Sequence, residues 1–206
     1  MEIAKVLQQY KENYRRIFER IYPSKNGTGF TERNLSVNFA KAYEHIYDDA
    51  ITWYEFQFGE KNNLHYDAII INPKNKETVV IESKRFSHVH KKIREVGDDI
   101  ERIRKFKTEY FKEFIDRISD LREYSVKGVI LTDVWTETPL KTDIKETFCN
   151  AIFGPRYLSG IFVDDSWFAN GHYFCEDFAD CKVSTVRANN TIPKNYYLLG
   201  MIWDVK

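Results

Sequence analysis

The chain carries no net charge. Its 31 basic residues match its 31 acidic ones over a length of 206. That balance argues against a general nucleic-acid coat protein, but not against a protein that meets phosphates at one local site. Cysteine is scarce: Cys149, Cys175 and Cys181 make an odd count, which fits a reducing compartment better than a disulfide framework. Long hydrophobic runs are missing, and no stretch approaches the roughly 20 apolar residues of a membrane span. The opening MEIAKVLQQYKENYRR lacks the apolar run of a signal peptide. The expectation is a cytoplasmic protein with no membrane partner. There is no internal repeat, low-complexity segment or linker, so the 206 residues read as a single domain.

What is present is an ordinary globular balance, 43% hydrophobic and 30% charged, with a high aromatic share of 16%. The apolar content suffices for a sizeable core. Apolar residues at helical spacing predict a helix over Glu2–Tyr22, and Pro23–Gly29 breaks it. Thr31 or Asn34 can cap a second helix running to about Asp49. Thr52–Phe58, His65–Asn72 and Thr78–Lys84 read as strands, and His88–Leu121 as a long charged helix with a break near Gly97. Lys127–Val134 is an apolar run suited to a buried strand. Beyond it, Thr142–Ile152 reads as a short helix, and Ser159–Val163, His172–Glu176, Lys182–Val186 and Tyr196–Trp203 as short strands. The expected organisation is a helix and loop over 1–30, a core over 31–135 and an aromatic-rich β extension over 136–206.

The chemistry-bearing stretch is Asn63–Phe86, NLHYDAIIINPKNKETVVIESKRF. Pro73-Lys74-Asn75-Lys76 suits a tight turn between two strands. A turn centred between Lys74 and Asn75 sets Asp67 opposite Glu82 and His65 opposite Lys84. Side chains repeat every second residue along a strand, so Glu82 and Lys84 share a face. Directly opposed carboxylates repel and destabilise a hairpin. A cation between Asp67 and Glu82 would relieve that repulsion. Two carboxylates, a divalent ion and a lysine beside a water are what phosphodiester hydrolysis needs.

The arrangement Asp67, turn, Glu82-Ser83-Lys84 resembles the PD-(D/E)xK nuclease superfamily, the restriction-endonuclease-like fold. The resemblance covers about Asn34 to Asp133, and departs where Tyr66 stands in place of proline. It implies an α/β core of helix, three antiparallel strands, helix and strand. It also implies an Mg²⁺-dependent endonuclease acting on DNA, with Mn²⁺ able to substitute. Asp67, Glu82 and the Ser83 carbonyl would hold the ion. Lys84 would orient or deprotonate the attacking water, or offset charge in the transition state. Its competing reading is an ion-pair partner of Glu82 or Asp67. A restriction-type enzyme is the first expectation, and repair nucleases and junction resolvases share the core. The rival class is a non-catalytic nucleic-acid-binding or regulatory protein on the same fold. An interaction protein working through its aromatic tail is a third reading.

Many members of that superfamily add a glutamate from the first core helix, and Glu44 matches best. A solvated helix residue is the competing reading for Glu44, and Glu55 is the rival acid. His65 falls beside the motif. Arg85, Lys92, Arg102 and Lys105 are candidate phosphate contacts. Interleaved Glu95, Asp98, Asp99, Glu101 and Glu109 make intrahelical ion pairs the first reading for the helix. A zinc site from His172, Cys175 and Cys181 lacks paired Cys-x-x-Cys knuckles and is set aside. The extension could support a homodimer that cuts both strands.

Overall fold

The computed structural model describes residues 1–20, 31–58, 64–86, 89–110, 121–136, 171–178 and 195–206. Helix α1 spans Ile3–Arg20 and α2 Glu32–Ile46. Three strands follow, β1 (Ile51–Phe58), β2 (Leu64–Asn72) and β3 (Glu77–Phe86). Helix α3 (Val89–Lys105) runs on into a π-helical turn at Phe106–Tyr110. Strands β4 (Ser125–Thr136), β5 (His172–Asp177) and β6 (Asn195–Val205) complete the described chain. Over residues 31–136 the order is helix, three strands, helix and strand, as expected. The strands form a six-stranded sheet in the order β1-β2-β3-β4-β6-β5. The β3–β4 pair is parallel and the others are antiparallel.

Each face of the sheet has its own apolar layer. Val79, Ile81, Val129 and Leu131 point to α1 and α2, meeting Leu35, Phe39, Ala42 and Tyr43. Val80 and Ile130 point the other way, onto Val96, Ile100, Ile103 and Phe106. Strands β3 and β4 are therefore buried on both faces, which explains their near-continuous β-branched runs. The π-turn places Phe106 in the same layer as the α3 stripe. Helix α3 passes through the buried Gly97 without the expected break.

The aromatic residues tie the ends of the chain together. Tyr10, Tyr14 and Phe18 of α1 lie one helical turn apart and are fully buried. Phe18 stacks on Phe178 at 5.0 Å and tilts against Tyr196 at 4.8 Å. The C-terminal strands were expected to pack on the core as an extension. Instead β6 pairs with β4 along its whole length and continues the sheet. Gly128 on β4 makes this possible on the α3 side: a Cβ there would strike the Trp203 ring and come 2.8 Å from Ile103 Cγ2. The expected elements at Thr142–Ile152, Ser159–Val163 and Lys182–Val186 lie outside the described residues.

Candidate active site

The hairpin between β2 and β3 closes as the turn residues dictate. Lys76 N–H donates to the Pro73 carbonyl at 3.3 Å, Asn75 N–H donates to Asn72 Oδ1 at 3.1 Å, and Lys76 takes the left-handed conformation with φ 48°. The ladder then runs from Asn72 opposite Glu77 to Ala68 opposite Ile81. This is the expected register, but it stops one pair short of Asp67 and Glu82. The break coincides with an irregularity on β1, where Glu55 has φ 52°. Tyr54 and Phe56 would share a face in a regular strand. Here Tyr54 packs with the α1–α2 layer and Phe56 with the α3 layer. Their partners Ala68 and Tyr66 divide the same way. Both strands thus change sides between these pairs, and Asp67 sits at the crossover. A non-glycine residue held at positive φ costs of order 1–3 kcal/mol and is enriched at functional sites.

Freed from the ladder, Asp67 turns along the sheet, and its Oδ2 accepts the Ser83 N–H at 2.7 Å. Glu82 and Lys84 point to the α3 side together, as their spacing requires. They do not pair with each other. Lys84 Nζ lies 3.3 Å from Asp99 Oδ2. Arg102 Nε donates to Glu82 Oε1 at 3.1 Å, and Nη2 donates to the same oxygen and, at 2.6 Å, to Asp99 Oδ1. The Arg102 guanidinium stands over the Tyr66 ring at 5.7 Å, and Tyr66 Oη donates to the Arg102 carbonyl at 3.0 Å. Asp67, Glu82, Asp99, Lys84 and Arg102 therefore form one charge cluster. Asp99 and Arg102 come from α3.

The electrostatics are those of carboxylates held away from water. Burial raises the Asp67 carboxyl above its ordinary value, with the Ser83 N–H and Lys84 opposing and Asp99 and Glu55 adding. Burial also pushes Glu82 well up, Asp99 adds to the rise, and Arg102 opposes it. Asp99 is raised by burial against the pull of Lys84 and Arg102. For Lys84, burial alone would lower the value, but Asp99, Glu82 and Asp67 outweigh it and hold the amine as ammonium.

Asp67 also lines a polar cavity of about 450 Å³, with Thr31, Glu32, Arg33, Glu55, His65 and Arg85. His65 Nε2 is 3.3 Å from Glu55 Oε2 and pairs with Gln57 on β1, while the β2–β3 ladder ends at Ala68 opposite Ile81 and does not reach His65 and Lys84. Glu32, in the first turn of α2, accepts the Arg85 N–H at 3.1 Å. Arg85 Nε lies 3.7 Å from Asp133. Glu44 sits near the other end of α2, beside Tyr54, whose phenol is raised by burial first and by the Glu44 charge second, and it is not in the cavity wall. The cavity instead holds Glu32 from that helix and Glu55 from β1. Of the candidate phosphate contacts, Arg102 turns inward, Lys105 is exposed 4.0 Å from Glu109, and the Lys92 side chain is outside the described residues.

Among the described residues, no three His, Cys, Asp or Glu side chains gather closely enough to cage a metal ion. Mg²⁺ does not demand such a cage. It keeps several waters and takes one or two carboxylates. Asp67 and Glu82 would supply hard oxygen ligands from adjacent strands. Ionised, the carboxylates of Asp67, Glu82 and Asp99 exceed the Lys84 and Arg102 cations by one charge. The donor set fits a single divalent ion, with Glu82 Oε1 engaged by Arg102.

The sequence offers Arg102 only as a phosphate contact and Asp99 only as an intrahelical partner, because they are two charges among many on α3; the structure instead turns both onto Glu82 and Lys84. One signal was there: Asp99 stands three residues after Val96 and four before Ile103, on the apolar stripe of the helix. A carboxylate at a stripe position must be buried, and a buried charge needs a partner. Comparison of the chain with family models, curated proteins and solved structures found no match.

Proposed function

We propose that this chain is a divalent-metal-dependent nuclease of the PD-(D/E)xK type that hydrolyses DNA phosphodiesters. The observation that carries the reading is that Asp67, Glu82 and Lys84 lie near enough where β2 and β3 part to act on one another's charge, on an α/β core of the expected element order. Asp67 accepts the Ser83 N–H, and Lys84 and Glu82 are bridged through Asp99 and Arg102. Asp67, Glu82 and the Ser83 carbonyl would hold Mg²⁺, or Mn²⁺ in its place. The ion supplies charge stabilisation on the phosphate and a more acidic water. Lys84, held as an ammonium by Asp99, orients the attacking water and offsets charge on the transition state. Its raised pKa favours those roles over proton abstraction. Arg85, in the cavity wall beside Asp67, is the first candidate to meet a substrate phosphate. A restriction-type enzyme leaving 5′-phosphate ends is the subtype that follows from the family resemblance. Cutting both strands of a duplex would call for two copies.

A second reading has its own observation. Lys84 and Glu82 are already satisfied by Asp99 and Arg102, which suits a non-catalytic nucleic-acid-binding or regulatory protein on the same fold. Incubation with duplex, junction and single-stranded DNA, with Mg²⁺, Mn²⁺ or chelator, separates the two. Metal-dependent products with 5′-phosphate ends support the nuclease. Retarded but intact DNA under all conditions supports the binding protein.

A further inference from the structure

Arg102 holds a position that an ordinary surface arginine would not take. Two of its nitrogens reach one oxygen of Glu82, whose side chain is only 2% exposed. That oxygen belongs to a carboxylate assigned above to the metal ion. We propose that Arg102 is an internal cation that competes with the divalent ion for Glu82, and that the site takes the ion by passing the guanidinium from Glu82 to Asp99. The inference rests on the metal-dependent reading of the site.

Three features of the cluster support it. The first is charge. A guanidinium and a divalent cation sharing Glu82 Oε1 would repel at close range in a poorly screened site, so occupancy by one disfavours the other. The second is that Arg102 has an alternative seat. Its Nη2 already donates to Asp99 Oδ1 at 2.6 Å, and Asp99 lies three residues earlier on the same helix. A change of side-chain torsion can trade one carboxylate for the other without moving α3. The third is Tyr66, where the family pattern has proline. Its ring lies under the guanidinium and its hydroxyl holds the Arg102 carbonyl. Tyr66 fixes the root of the arginine and offers its ring face to the head, which suits a side chain that shifts between two acceptors above a constant platform.

A permanently structural ion pair is the alternative, and metal affinity tells them apart. Mn²⁺ is titrated by calorimetry into the parent, Arg102→Gln, Arg102→Lys and Glu82→Gln, and each is melted with and without saturating Mn²⁺. Arg102→Gln is expected to bind Mn²⁺ at least ~10-fold more tightly, because a neighbouring unit charge has gone. Arg102→Lys keeps the charge without the planar fork and should gain affinity by a smaller factor. Glu82→Gln should lose most binding. Removing Arg102 leaves the buried Glu82 carboxylate unpaired while Asp99 keeps Lys84, so Arg102→Gln should melt below the parent without metal. It should also gain more in melting temperature from Mn²⁺ than the parent does. If Arg102→Gln does not fold, Arg102→Lys decides. Parent-like or weaker affinity in the folded Arg102 variants overturns the competition while leaving the metal site standing. Undiminished binding in Glu82→Gln also overturns it, since the ion would then not sit on Glu82. Absence of Mn²⁺ binding in the parent and all variants overturns the metal-dependent reading and this inference with it.

Discussion

At the scale of single residues, the site is a set of charges that each need a neighbour. Lys84 is only one-fifth exposed and faces Asp99, which is almost fully enclosed. Lys84→Ala should therefore act twice. Losing the lysine leaves Asp99 with the Arg102 guanidinium that it shares with Glu82, and is expected to cost roughly 1–3 kcal/mol of stability. If Lys84 also positions the nucleophile, single-turnover cleavage by the folded variant should fall on the order of 10²-fold or more, with DNA and metal still bound. A stability loss with parental cleavage would reduce Lys84 to an ion-pair partner. Glu82 yields a pH prediction. Its carboxyl is pushed well above the ordinary 4.5, by burial first and the Asp99 charge next. A raised folded-state value means the folded chain holds this proton more tightly than the unfolded one. The contribution to stability is therefore full below about pH 4.5 and lost as pH rises through the folded value. Melting temperatures across the acid-to-neutral range should decline less steeply with pH in Glu82→Gln than in the parent. Parallel curves would show that Glu82 keeps one protonation state throughout.

At the scale of elements, the hairpin shows how far residue patterns reach. The β-branched runs and the Pro73–Lys76 turn were enough to place β2, β3 and the register of their ladder. They could not place its end. The end falls beside Glu55, a residue of β1 that takes a left-handed conformation across from Asp67. Nothing local in Trp53–Gln57 marks that choice; it follows from packing Tyr54 and Phe56 against opposite layers. The same limit hid the partners of the motif. Intrahelical pairs such as Arg104 with Glu101 were the natural reading of α3, and that pair forms at 2.9 Å. Arg102 makes the analogous pair with Asp99 but turns it inward to the sheet. The C-terminal strands test this scale as well. Gly128→Ala would force the Trp203 ring and Ile103 from their places between β4, β6 and α3. Overpacking of this kind is expected to cost about 1–3 kcal/mol, read as a lowered midpoint in urea. An unchanged midpoint would mean that the Trp203 side chain repacks freely.

At the scale of the whole molecule, the sheet carries both the stability and the site. Its middle strands β3 and β4 are buried on both faces, so the motif carboxylates emerge from a rigid support. Helix α1 closes one side with Tyr10, Tyr14 and Phe18 against Phe174, Phe178 and Tyr196. These contacts join the first helix to the last strands, a pairing that no local pattern could announce. Phe18→Ala should cost about 3–5 kcal/mol, as large aromatic truncations do, and loosen both ends of the chain together. Hydrogen exchange of β6 amides would register that loosening, and protection at the parental level would contradict it.

The central claim is that Asp67, Glu82 and Lys84 form one metal-dependent hydrolytic site. The most direct test is single-turnover cleavage of end-labelled DNA by the parent, Asp67→Ala and Glu82→Ala, with Mg²⁺ and with chelator. The expected result is cleavage by the parent in Mg²⁺ alone, abolished in both variants while they remain folded. Cleavage that survives both substitutions, or that persists in chelator, would contradict the site.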